Sequence, residues 1–139
     1  ILEQPNVSTT TIRNLPMREK VKRVIDGDTI ELANGQIVRY VGVNAPNSGE
    51  PFEEEATEAN AKLVSNKTVT FEYDTYTSDR FGRVLAYPIV DGNNVAAELA
   101  KKGLAKVTIY QDRRNLKYQD ELLKAQEEAK KKRSGVWSK

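Results

Sequence analysis

A chain of 139 residues with 38% hydrophobic content is long enough for one domain with a real core. It contains no cysteine and no histidine, which excludes Cys/His zinc sites, thiol nucleophiles, Ser-His-Asp triads and histidine bases. Its 22 Lys and Arg against 20 Asp and Glu leave a mild charge of +2, which permits nucleic-acid binding without demanding it.

Any hydrolytic chemistry here must therefore use carboxylates, arginines and a hard, oxygen-bound cation such as Ca²⁺ or Mg²⁺. No apolar run approaches the ~20 residues of a membrane span. The chain starts at Ile1 rather than Met, which reads as processing or trimming. A secreted or cell-surface protein is the preferred expectation, since a cysteine-free chain suits export without disulfides, although it suits the cytosol too.

Residues 1–17 read as an N-terminal arm, polar and without helical period, and residues 18–139 as a single domain. Met17 to Ile25 ends in charged–apolar alternation, a first strand. Thr29 to Ala33 and Gln36 to Val43 follow as strands, joined by a turn at Asn34-Gly35. Pro51 to Asn66 reads as a helix, with proline near its start and Glu53-Glu54-Glu55 placed to complement its N-terminal dipole. Lys67 to Asp74 and Val84 to Val90 are further strands, separated by a polar turn carrying Asp79-Arg80-Phe81-Gly82-Arg83. Asn94 to Lys102 is a short helix ended by Gly103. After an extended segment from Lys106 to Tyr110, Asn115 to Lys132 is the longest helix, and Trp137 reads as its packing anchor. The basic run Lys130 to Arg133 complements that helix's C-terminal dipole. Five short strands with three helices make an α+β, mainly β-barrel pattern, for which a five-stranded OB-fold barrel is the leading candidate.

Chemistry-bearing residues gather at the ends of the early strands. Asp26 and Asp28 share one turn, Arg39 lies in an otherwise apolar strand, and Asn44 and Asn47 stand at that strand's exit. Their convergence on one small volume is what a metal-assisted phosphate site needs. Each has a plainer role open to it: Asp-Gly-Asp is a good turn, Arg39 could pair with a surface acid, and Tyr110 could stack a base or lie on the barrel.

From Lys20 to Ser138 the chain resembles the staphylococcal nuclease-like (thermonuclease) family. The residues that carry the likeness are Val24-Ile-Asp-Gly-Asp-Thr-Ile, Val38-Arg39-Tyr-Val-Gly-Val, Asp79-Arg-Phe-Gly-Arg83-Val-Leu-Ala-Tyr87, Gly103-Leu-Ala-Lys-Val and Gly135-Val-Trp, in that order. The resemblance implies a five-stranded OB barrel with three helices and Ca²⁺-dependent cleavage of DNA and RNA, with single strands preferred and a monomeric protein. It places Asp28 as the main metal carboxylate with Asp26 behind it, and Arg39 and Arg83 as the grip on the scissile phosphate. Phe81 falls at an aromatic position near the nucleotide. Arg80 and Tyr110 are further candidate nucleic-acid contacts, although Ile109 and Gln111 fall where the family often has tyrosines. Ala45 stands where a backbone carbonyl also binds the metal.

Two positions depart from the family pattern. Asn44 replaces a second metal aspartate; it still offers an oxygen but removes one negative charge, so the single Ca²⁺ should bind weakly. Asn47 replaces the glutamate held responsible for activating water, and an amide cannot take that proton at neutral pH. Glu50 is the nearest carboxylate that could stand in. The expectation is a slow nuclease; the alternative is a catalytically inactive module that binds nucleic acid or a protein partner.

Overall fold

In a computed structural model of the protein, residues 14–110 and 115–138 are described. All of the predicted arm before Asn14 lies outside them. The elements follow the expected order. β1 (Arg18–Asp26), β2 (Thr29–Leu32) and β3 (Ile37–Tyr40) form a meander, followed by a short β4 (Val43–Asn44) and α1 (Glu53–Val64). Then come β5 (Thr68–Glu72), β6 (Val84–Val90), β7 (Asn93–Asn94), α2 (Val95–Lys101), β8 (Lys106–Val107), α3 (Gln119–Lys132) and a 3-10 turn over Gly135–Trp137.

The sheet runs β3-β2-β1-β5-β6, and β6 pairs back onto β3 in parallel, closing a five-stranded barrel. β7 extends β6, while β4 and β8 make a separate small ladder. Among the described residues there are three α-helices: α1 packs on β1, α2 on β6, and α3 on α2 and β8, which is the predicted α+β, OB-like architecture. Val38, Tyr40, Val84 and Ala86 point into the barrel and are buried with Ile30, Leu32, Val69 and Tyr87. No helix among the described residues is long and apolar enough to cross a membrane.

One predicted strand is broken in two. The apolar run from Gln36 to Val43 gives β3, then a turn at Val41–Gly42, then β4 on a different partner. Gly42 has φ +85°, and a Cβ there would lie 2.6 Å from Leu122 Cδ1 of α3. The chain turns to let α3 seat against it, so hydrophobicity alone overestimates the strand's length. Another close approach is at Gly27, whose Cβ would lie 2.6 Å from the Ala45 Cβ and 2.7 Å from the Ala56 Cβ. Its bare backbone lets the β1–β2 turn press onto the residue 45 loop and α1.

Candidate active site

That close packing builds the site. Asp28 enters β2 from the Gly27 turn and is buried. Its Oδ1 accepts the Thr29 hydroxyl at 2.9 Å, and its Oδ2 accepts the Ala45 N–H at 2.7 Å. Asp26 faces back on the turn and accepts the Asp28 N–H at 3.0 Å. α1 fixes the same turn through Asn60, which is fully buried, donates to the Asp26 carbonyl at 2.8 Å and accepts the Tyr40 hydroxyl at 2.6 Å.

Arg39 lies across β2 from Thr29, and its Nη2 is 3.2 Å from Asp28 Oδ2. The same nitrogen donates to the Asn44 side-chain oxygen, and Nη1 donates to the carbonyls of Tyr40 at 2.7 Å and Val43 at 2.8 Å. The guanidinium thereby staples the loop between β3 and β4 while leaving its Nε–H without a hydrogen bond among the described residues. Burial pushes the Asp28 carboxyl above its ordinary range, and Asp26 adds to the rise; Arg39 and the Ala45 N–H pull the other way without reversing it.

Arg83 comes from the other side of the barrel closure. Arg39 pairs with Leu85 in the parallel β3–β6 ladder, and Arg83 stands two residues before Leu85, at the entry to β6. It touches neither Arg39 nor Asp28 directly. Its Nε is bound 2.6 Å from Asp79 Oδ2, and both terminal nitrogens carry no hydrogen bond among the described residues. Asp79 is completely buried and also accepts the N–H groups of Phe81 at 3.0 Å and Arg83 at 2.9 Å. At the turn's tip Phe81 is 66% exposed, with the Arg80 guanidinium 4.9 Å and that of Arg83 5.6 Å from its ring centre. Tyr110 shares a shallow groove with Arg39, Asn44, Leu85 and Thr108.

On the far side of Asn44 a cleft of about 360 Å³ is lined by Asn44, Ala45, Asn47, Glu50, Lys106 and Val136, among others. Glu50 therefore reaches the same cleft as the two substituted positions. The Lys130 and Lys106 ammonium groups lie 4.9 and 5.2 Å from the centre of the Trp137 ring, so the basic run is partly used in packing the C-terminus. Two positioning residues, Asn60 and Asp79, escape the sequence reading. The buried spacing Ala56, Asn60, Val64 along α1 is the signal that could have marked Asn60 as an inward amide.

The groups that the resemblance assigns to the ion are hard oxygens: the Asp28 carboxylate, the Asn44 amide, which accepts from the same Arg39 nitrogen that faces Asp28, and the Ala45 carbonyl, whose residue donates its N–H to Asp28. No cluster of three or more acidic, histidine or cysteine side chains with metal-site geometry exists among the described residues. Asp26 is engaged with the Asp28 N–H. A desolvated carboxylate only partly compensated by Arg39 would gain from a cation, so this oxygen set fits Ca²⁺ held weakly.

A family model described as "Staphylococcal nuclease homologue" matches residues 37–139. The chain is 38% identical over 128 residues to the thermonuclease of Staphylococcus hyicus, covering 86% of this chain and 75% of that protein. It is 39% identical to endonuclease YncB of Bacillus subtilis (strain 168) and 38% identical to the SPbeta prophage-derived endonuclease YokF of the same organism. Those alignments span 84% of this chain but 60% and 43% of the Bacillus proteins. With the barrel, the turn-borne Asp28 and the β3 arginine in place, the chain belongs to the staphylococcal nuclease family.

Proposed function

We propose that the domain is a slow, Ca²⁺-assisted phosphodiesterase acting as a monomer on DNA or RNA, single strands by preference. The observation that supports this most is the seating of Arg39 between Asp28 and Asn44, with Arg83 held by Asp79 at the entry to the strand paired with β3 and its terminal nitrogens without a hydrogen bond among the described residues. Asp28, the Asn44 amide and the Ala45 carbonyl would hold the ion. When bound, it would offset phosphate charge and polarise the ester.

The chain's own work is electrostatic. Arg39 and Arg83 approach a phosphate from neighbouring strands and stabilise the negative charge that builds up as phosphorus becomes five-coordinate. Both guanidiniums are pre-aimed, Arg39 by the carbonyls of Tyr40 and Val43 and Arg83 by Asp79, so little reorganisation is needed at the moment of reaction. Phe81, flanked by Arg80, and Tyr110 offer faces for unpaired bases, each such stack contributing ~1–3 kcal/mol. Asn47 cannot accept a proton, so a base contribution of about 10²–10⁴ in rate is missing from that position.

The second reading is a nuclease fold that retains binding and has lost hydrolysis; the paired substitutions Asn44 and Asn47 favour it. Incubating single-stranded DNA with the protein and Ca²⁺, with and without chelator, beside Arg39→Ala, separates the two. Cleavage that needs both the ion and Arg39 is expected. Binding that survives chelation with no cleavage from pH 7 to 10 would establish the binding module instead.

A further inference from the structure

We propose that Glu50 supplies the general base that position 47 lacks; this rests on the nuclease reading above and adds a proton acceptor to it. The backbone N–H of Glu50 donates to the Asn47 carbonyl at 2.9 Å, and the Asn47 N–H donates to Glu50 Oε1 at 2.6 Å. The second of these bonds is the one a capping box makes, in which a carboxylate three residues ahead folds back onto a backbone N–H. It returns the carboxylate of residue 50 to the backbone of residue 47. The negative oxygens absent from side chain 47 are thereby restored beside the same backbone position.

The loop holds them there. Gly49 N–H donates to Glu53 Oε1 at 2.8 Å, a second fold-back bond that anchors the segment to the start of α1. Glu50 Oε2 carries no hydrogen bond or ion pair among the described residues, so one oxygen stays available for water. The side chain lines the cleft of about 360 Å³ shared with Asn44, Ala45 and Asn47, which has room for that water beside the oxygens assigned to the ion. Lys106 lines the same cleft with no acidic partner among the described residues, its ammonium resting over Trp137.

In the step assigned to Glu50, its carboxylate takes one proton from a water whose oxygen forms a bond to phosphorus. The ester bond to the leaving oxygen breaks with its electron pair, and that oxygen takes a proton from solvent. Glu50 then returns its own proton to solvent, leaving a phosphate monoester and an alcohol.

A plainer role, stapling the loop, predicts different behaviour for two variants. Glu50→Gln keeps an oxygen to accept the Asn47 N–H but cannot hold the proton; Glu50→Ala loses both. The test measures Ca²⁺-dependent cleavage of a single-stranded oligonucleotide at pH 7, melting temperature, and oligonucleotide binding in chelator, where no turnover occurs. The expected result for Glu50→Gln is a kcat about 10²-fold lower, with KM, melting temperature and binding unchanged. Adding Asn47→Glu to Glu50→Gln should return most of the lost rate. A Glu50→Gln rate within threefold of the parent, while Arg39→Ala abolishes cleavage, would overturn the base assignment and leave the nuclease reading standing. Absence of cleavage by both the parent and Asn47→Glu would overturn both.

Discussion

Asp28 is stabilised by two hydrogen bonds and an arginine, yet its desolvation outweighs them. Its carboxyl binds a proton more tightly folded than unfolded, so the charged form costs stability above the unfolded value near 3.8, and the cost grows until pH passes the raised folded value. Asp28→Asn is therefore expected to raise the melting temperature at pH 7, with the gain shrinking toward zero below about pH 3.8; a lower melting temperature at pH 7 would contradict this. Asp79 is a buried carboxylate bonded by Arg83 and two backbone N–H groups. Asp79→Ala should cost about 1–3 kcal/mol in denaturant unfolding, because those N–H groups lose their partner. It should also slow cleavage in proportion to the loss of Arg83's fixed aim. Asp28 and Arg39 are legible in the sequence because an acidic turn and a charged residue inside an apolar strand are local contrasts. Asp79 and Asn60 are not, because an Asp in a polar turn and an Asn in a helix look like ordinary solvent-facing residues until the fold buries them.

At the scale of elements, strand and helix order follows from alternation, turn residues and acidic helix starts, and the observed boundaries differ by a few residues. The larger miss, the break between β3 and β4, comes from a contact that no local pattern announces: Gly42 against Leu122 of α3, far along the chain. The start of α3 is docked by side chains too. Lys117 Nζ pairs with Glu72 at 2.6 Å, the Lys117 N–H reaches Asp74, and Tyr118 donates to Glu72 at 2.6 Å while meeting Tyr87 edge-on. The Glu72 bond, with some burial, pushes the Tyr118 hydroxyl up to about 12. A phenol whose folded value exceeds the ordinary 10.0 contributes stability in full below 10 and loses it as pH rises toward 12. Urea unfolding of Tyr118→Phe should therefore lose less stability between pH 10 and 12 than the parent does, and an identical slope would show that the hydroxyl does not couple to folding.

The whole molecule matters because the two arginines are far apart in sequence. The parallel closure of β6 on β3 sets Arg39 beside Leu85, two residues after Arg83, and the Gly27 turn packs on Ala45 while Asp28 accepts the Ala45 N–H. Strand register across a barrel is not a local signal, so composition and periodicity suggest the parts of this site without arranging them; the family resemblance carries that arrangement. The central claim is spatial: one cation position at Asp28 and one phosphate position between two guanidiniums. Its most direct test is a crystal structure of the protein soaked with Ca²⁺ and a nucleoside diphosphate. The account predicts a phosphate in contact with both Arg39 and Arg83, and an ion on the oxygens of Asp28, Asn44 and Ala45. Phosphate bound elsewhere, or an ion that avoids Asp28, would contradict it.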